Sequence, residues 1–208
     1  MEFSVAPGVF RSLPPSLLIN ARSIYPGIEL EQVEIPDRDC EDYVHADPGH
    51  FAISTKPWYD TGLFYRPIHR EPLYFIASRE HPLADRPEIR LEDLRDEKFL
   101  FFNNKYNIHY RTFGSCKACG YQPNIIYKSA DVSQLVNLAV LKLGILICVK
   151  HVYEEAARDK LVCIPIANEE MYWELGILYQ DFSRLDANAK LFLNYIYANV
   201  QKLQGATG

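Results

Sequence analysis

Phe3 to Leu30, FSVAPGVFRSLPPSLLINARSIYPGIEL, reads as strand, Pro-Gly loop, amphipathic helix and second strand with almost nothing left over. Phe3 and Val5 belong to a short β-prone run that Pro7-Gly8 breaks. Ser12 then precedes Leu13-Pro14-Pro15, and a first helical turn tolerates proline because its N–H groups have no intrahelical acceptor. Leu13, Leu17, Ala21 and Ile24 recur at helical spacing, leaving Asn20, Arg22 and Ser23 for the wetter face. Tyr25-Pro26-Gly27 closes the helix, and Ile28 to Val33 alternates as a strand. A β-loop-α unit of this kind aims the N–H groups of a helix start at whatever sits above the strand ends.

Outward from this stretch, Pro36-Asp37 opens a short helix through Val44, and His50 to Thr55 is a third strand ending in the hydroxyls of Ser54 and Thr55. Leu63 to Ile68 and Leu73 to Ala77 are extended and apolar, with the polar stretch His69-Arg70-Glu71-Pro72 as a crossing between two packing units. Beyond it come a short helix at Leu91 to Leu94 and the strand Phe99 to Phe102, which runs into Asn103-Asn104-Lys105. A helix from His109 to Cys119 stops at Gly120, and Asn124 to Tyr127 is the next strand. Asp131 and Gln134 have the spacing of a capping box, ahead of a helix with Val132, Leu135, Val136, Ala139 and Val140 on its apolar face. Gly144 ends that helix, and the wholly apolar Ile145 to Val149 has the character of a buried parallel strand. A helix over Val152 to Arg158, strands over Leu161 to Ile166 and Met171 to Tyr179, and a helix over Asp186 to Gln201 complete the chain. In that last helix Leu191, Phe192, Tyr195 and Ile196 form the expected inner face. Strands alternate with helices, which gives an α/β class with mainly parallel sheets.

The chain has 208 residues, 48% hydrophobic and 24% charged, which is enough apolar content for a sizeable core and excludes the disordered class. No apolar run approaches the roughly 18 residues that cross a bilayer, and no basic-then-apolar signal segment opens the sequence, so the expected address is cytoplasmic, with no membrane partner. A net charge of −5 argues against a phosphate-gripping surface, so contact with DNA is expected to come from elsewhere. The five cysteines, Cys40, Cys116, Cys119, Cys148 and Cys163, are odd in number and scattered, the pattern of reduced thiols rather than of a disulfide framework.

Five segments lie in one order: the Pro-punctuated first helix with Tyr25 to Leu30, the strand His50-Phe51-Ala52-Ile53, Glu80-His81-Pro82-Leu83-Ala84, Leu91-Glu92-Asp93-Leu94, and Leu143-Gly144-Ile145. Together they resemble the effector-binding domain of LysR-type transcriptional regulators. The resemblance implies a two-lobed fold of the type II periplasmic-binding-protein kind, with two strands crossing between lobes and a small effector in the cleft. Residues 1–69 and 170–208 would form lobe I and residues 70–169 lobe II. It also implies a homodimer or higher homo-oligomer, and an N-terminal helix-turn-helix domain, absent from this chain, through which alone DNA is bound. Many members have glycine two positions before Gly144 and proline closing the following strand, where this sequence has Lys142 and Val149. The stretch from Asp37 to Gly49 matches the family loosely.

The positions corresponding to the cleft lining are Ala6, Pro7 and Gly8; Ser54 and Thr55; Phe102, Asn103 and Asn104; and Ala130, Asp131 and Val132. Each group lies at the carboxyl end of a strand, where backbone N–H groups and short polar side chains converge. The same residue types also serve as caps and turns in any protein. Trp58, Tyr106 and Tyr110 are candidates for stacking on an aromatic effector, and Lys56, Lys105 and His109 for neutralising a carboxylate. Cys116-Lys117-Ala118-Cys119, with His109 seven residues earlier, admits a redox or zinc reading beside that of two unpaired thiols at a helix end. No nucleophile-base-orienter set, glycine-rich phosphate loop or paired catalytic carboxylates stand out, so the reading calls for no enzyme, no cofactor and no metal. The expected role is a sensor of a polar or anionic small molecule. Its rivals are a free-standing solute-binding protein of the same fold and an enzyme of the same two-lobed architecture.

Overall fold

The computed structural model describes residues 1–14, 16–155 and 159–205, with side chains described over the same ranges apart from 154–155 and 201–205. The chain divides into two compact units, Met1–Arg70 with Glu174–Gly208, and Glu71–Trp173. The first unit starts with β1 (Glu2–Val5), whose Phe3 ring stacks on Phe51 at 5.4 Å. Gly8 follows at φ 84°, a left-handed conformation that glycine adopts without a Cβ clash, and the turn lets α1 (Val9–Ser12) begin at once. This differs from the expected start at Ser12. The prolines interrupt the helix because Pro14 and Pro15 have no N–H to donate to the carbonyls one turn back, and α2 (Ser16–Ile24) restarts from the Pro14 carbonyl, which accepts the Leu17 N–H at 2.9 Å. Pro15 itself lies outside the described residues.

Leu17 and Ala21 of α2 are buried, but Ile24, in the closing turn where Pro26 and Gly27 reverse the chain, is 56% exposed. The second strand starts later than the alternation suggests. Ile28 donates its N–H back to the Tyr25 carbonyl at 2.9 Å, so β2 (Glu31–Glu34) pairs with β1 only from Glu31 onward. Next come α3 (Asp37–Ala46), β3 (Phe51–Thr55) and β4 (Phe64–Pro72). The polar stretch from His69 to Pro72 continues β4, and the boundary between the two units falls within it, between Arg70 and Glu71.

The second unit holds β5 (Tyr74–Ser78), a 3-10 turn at Leu91–Leu94, β6 (Lys98–Phe102), α4 (Asn107–Ala118) and β7 (Asn124–Ser129). It continues with α5 (Val132–Val140), β8 (Ile145–Cys148), α6 (Lys150–Glu155) and β9 (Leu161–Pro165). The end of the helix expected to reach Arg158 lies outside the described residues. The sheet order is β7-β6-β8-β5-β9, with β7, β6 and β8 parallel and β5 antiparallel to both β8 and β9. Every residue of β8 is buried, which explains its uninterrupted apolar sequence.

The expected capping box does not form. Asp131 accepts the Ser133 and Gln134 N–H groups at 2.8 and 3.3 Å, but its own N–H donates to the Ser129 hydroxyl at 3.0 Å. That hydroxyl in turn donates to Gln134 Oε1 at 2.8 Å, so Ser129 intercepts both halves of the return bond.

β10 (Tyr172–Tyr179) and α7 (Ala187–Gly205) bring the chain back into the first unit and complete its sheet in the order β2-β1-β3-β10-β4. β1 is parallel to β2 and β3, and β10 is antiparallel to β3. Phe192, Tyr195 and Ile196 of α7 are buried, while Leu191 is 45% exposed because helical rotation sets it opposite Ala189, Leu193, Ile196 and Val200. Among the described residues no helix is long and apolar enough to cross a membrane.

Candidate functional site

In the first unit the carboxyl ends of β1 and β3 carry the candidate residues. The Ala6 N–H donates to the Ile53 carbonyl at 3.0 Å, which ties the loop to β3, and the Ala6 carbonyl accepts the Val9 N–H at 3.3 Å. Pro7 and Gly8 are partly exposed at the start of α1, whose first turn has neither a side-chain cap nor an acidic residue. Ser54 is fully buried and faces inward, because Ser4 and Ser54 lie on the side of the sheet that α3 covers with Cys40. Neither hydroxyl finds an oxygen or nitrogen partner. Burial pushes the Cys40 thiol up to about 12, against the opposing pull of the two hydroxyls, and the thiol donates to the Ile35 carbonyl at 3.4 Å. Thr55, the last residue of β3, is buried as well.

Beyond Thr55, the Lys56 N–H donates to the Glu174 carbonyl at 2.8 Å, and its Nζ lies 3.8 Å from Glu174 Oε1. Trp58 is 40% exposed. Its neighbour Tyr59 donates its hydroxyl to Glu41 Oε2 at 2.6 Å, and the Arg38 guanidinium lies 4.5 Å over the Tyr59 ring, with Nε 3.8 Å from the same carboxylate. Glu41 is only 4% exposed. Sequence reasoning missed this Arg38–Glu41–Tyr59 group. Its signal was the spacing of Asp37, Glu41 and Val44 on one face of α3, an inner face that carries acids.

In the second unit the candidate residues gather at the ends of β6 and β7. The Asn103 N–H donates to the Ser129 carbonyl at 3.0 Å, and Asn103 Oδ1 accepts the Lys105 N–H at 3.0 Å, which shapes the turn into α4. Asn104 is exposed, and its carbonyl accepts the Tyr110 hydroxyl at 3.1 Å. The Phe102 and Tyr106 rings pack at a tilt, with centroids 5.7 Å apart. His109 is buried and its Nδ1 donates to the Phe102 carbonyl at 2.7 Å. Burial, with a contribution from nearby Lys128, holds its pKa below the usual histidine range, against the opposing effect of that hydrogen bond. The ring is therefore neutral at pH 7 and does not serve as the counter-charge for a carboxylate.

Ala130 and Asp131 are exposed and Val132 is half-buried at the start of α5. The Asp131 carboxylate accepts the first N–H groups of α5 through Oδ1 and stays an exposed negative charge at that helix start. The start of α4 differs, with no side-chain cap and no acidic residue in its first turn. Lys105 and Lys128 are exposed beside it, and among the described residues Lys128 forms no ion pair. Such a rim favours a small anion by charge and by helix polarity.

The Cys116 thiol is fully buried and burial pushes it up to about 11, while burial followed by the charge of Glu92 raises that of Cys119. Both are thiols rather than thiolates at neutral pH, a poor starting point for metal binding or redox exchange. His109 lies two helical turns from Cys116, about 10 Å along the axis, too far to share an ion with it. Among the described residues no group of three or more His, Cys, Asp or Glu is placed to hold a metal ion.

Comparison with known proteins adds the following. Residues 2–201 match the family model described as LysR substrate binding domain. The HTH-type transcriptional regulator YwbI of Bacillus subtilis is 24% identical over 181 residues, 87% of this chain and 60% of that protein. The dual regulator GltC of the same organism is 23% identical over 66% of this chain and 46% of its own length. The chain thus spans roughly half the length of these curated relatives. Among solved structures, the regulatory domain of CcmR from Synechocystis PCC6803, in complex with 2-PG, superposes with a TM-score of 0.81 at 21% identity, covering 95% of each chain. The effector binding domain of QuiR, in complex with shikimate, gives 0.84 at 14% identity, covering 97% of each. Both likenesses establish the fold.

Proposed function

This chain belongs to the LysR substrate-binding domain family, and from that premise we propose that it senses a small polar anion at the strand ends of its two units. Ala6 to Gly8 and Thr55 would contribute from the first unit, and Phe102 to Asn104 with Ala130 to Val132 from the second. Effector contacts made by both units would shift the population between arrangements of the domain, and a homodimer would pass that shift to an N-terminal DNA-binding domain in the cytoplasm. The observation that carries the reading is the second rim, where Lys105 and Lys128 lie beside a helix start with no side-chain cap and no acidic residue in its first turn. The complexes of CcmR with 2-PG and QuiR with shikimate, a carboxylate, support a ligand of that charge. Ile19 and Ile24 on α2, with Ile126, Tyr127 and Leu141 in the second unit, are exposed and supply apolar surface that a homodimer would cover.

The test is a thermal-shift screen of carboxylate and phosphate metabolites against the chain, followed by calorimetry of Asn103→Ala with the compound found. Binding to the folded state alone raises apparent stability. Loss of about 1 to 3 kcal/mol of affinity in the variant is expected, the cost of leaving a buried polar partner unmatched. Full affinity in the variant, or stabilisation by cationic compounds alone, would overturn the reading.

A further inference from the structure

At the other end of the second unit's strands from Phe102 and Ser129 lies a cavity of about 310 Å³. Its walls are the end of β5 at Ser78, the segment 96–98 that leads into β6, and the segment 142–144 between α5 and β8. Its volume is at the lower end of the range for small-molecule sites, roughly 300 to 1,000 Å³.

The walls are fixed by interactions that a solvated surface does not require. The Leu83 N–H donates to His81 Nδ1 at 3.2 Å, so the ring proton sits on Nε2 and donates to Glu97 Oε2 at 3.2 Å, anchoring that carboxylate at the cavity wall. A Cβ on Gly144 would come within 2.5 Å of the Lys98 carbonyl, so only glycine allows the 142–144 segment to press against the 96–98 segment. Lys142, at the position where the resemblance leads one to expect glycine, has φ 61°. Among the described residues it is the one non-glycine residue with positive φ. The Lys142 N–H donates to the Ala139 carbonyl at 3.0 Å and the Leu143 N–H to the Leu138 carbonyl at 3.1 Å, so this left-handed residue is the one that closes α5 and turns the chain toward the cavity. The Lys142 Nζ reaches across to Glu80 Oε2 at 2.6 Å, which leaves its other two protons for a further acceptor.

Asp96, Glu97 and Lys98 thus line the cavity from one side, Glu80 from the turn after β5 and Lys142 from the 142–144 segment, so acidic and basic side chains border one space. Leu143, half exposed, adds apolar surface between them. We propose that this cavity is a second small-molecule site that takes an α-amino acid, with the ligand ammonium against Asp96 and Glu97 and the ligand carboxylate against Lys142. It is separate from the strand-end site and stands or falls independently of it.

The test is site-resolved. The isotopically labelled chain is titrated with each of the common L-amino acids while backbone amide resonances are followed by NMR. At least one amino acid is expected to move the Lys98, Lys142 and Gly144 amides saturably, with a Kd below about 1 mM. Lys142→Gly is expected to weaken that binding at least about tenfold. Glycine adopts the same φ without strain, so this variant keeps the fold and unfolds at no lower denaturant concentration than the parent. Asn103→Ala is expected to leave the titration unchanged. Absence of saturable movement at these amides with every amino acid, or undiminished binding by Lys142→Gly, would overturn the proposal.

Discussion

In the first unit Arg38 and Lys56 each face a carboxylate, Glu41 and Glu174, whereas in the second unit Lys128 has no ion pair among the described residues and the one acid beside it, Asp131, caps α5. Both units end their parallel strands on short polar loops at helix starts, yet the first pairs Arg38 and Lys56 with carboxylates while the second leaves Lys128 charged at its rim. Internal neutralisation contributes to folding. Unmatched charge adds little to folding and is available to a ligand. On the proposed reading, charge at the first rim contributes mainly to folding and charge at the second would draw in the anion.

The largest effect should come from reversing the second rim. Lys105→Glu with Lys128→Glu is expected to weaken binding of the screened anion by about 2 to 3 kcal/mol with little change in unfolding midpoint. Equal loss from Lys56→Ala alone would erase the contrast between the units. Next is Glu41→Ala, which deprives the Tyr59 hydroxyl and Arg38 of a buried acceptor. A loss of about 2 kcal/mol in stability, read from urea unfolding, is expected, with a smaller change in affinity.

Smaller still is a pH effect in the second unit. The folded state holds the His109 pKa below its unfolded value, so its contribution to stability is complete above the unfolded pKa and is lost as pH falls toward the folded one. Urea unfolding at about pH 7 and pH 5 is expected to show a larger drop in the parent than in His109→Gln. An equal drop would mean that the neutral ring is not what organises this rim. The smallest effect, none measurable in affinity, is expected for Cys116→Ser with Cys119→Ser, because both thiols are held protonated away from the rims. Loss of binding in that double variant would move the sensor from the rims to the thiols.

Much of the candidate site is legible in the sequence because it depends on local chemistry. Pro7-Gly8, Asn103-Asn104 and Asp131 are turn and cap residues wherever they occur, and each stands at a strand end in the structure. Ser54 shows where legibility stops. Its residue type suits a polar mouth, but which face of β3 it occupies depends on the partner strand β1 and on Cys40 arriving from α3. The Arg38–Glu41–Tyr59 group is likewise tertiary, since it exists only because the 56–62 segment folds back onto α3. The true start of α1 was hidden for another reason: the prolines drew attention to position 12, while the left-handed turn at Gly8 had already opened the helix at Val9.

Cys40, between the hydroxyls of Ser4 and Ser54, has a consequence for measurement. Its thiol is buried and raised to about 12, and Cys148 in the second unit is buried and raised to about 12 by the same cause. Alkylating reagents attack thiolates, so neither sulfur is labelled at neutral pH until its own unit opens. The two cysteines are therefore internal clocks, one in each half of the molecule. Peptide mass spectrometry of a timed labelling reaction would read, in a single sample, which half opens first and whether a bound anion slows both clocks or only one.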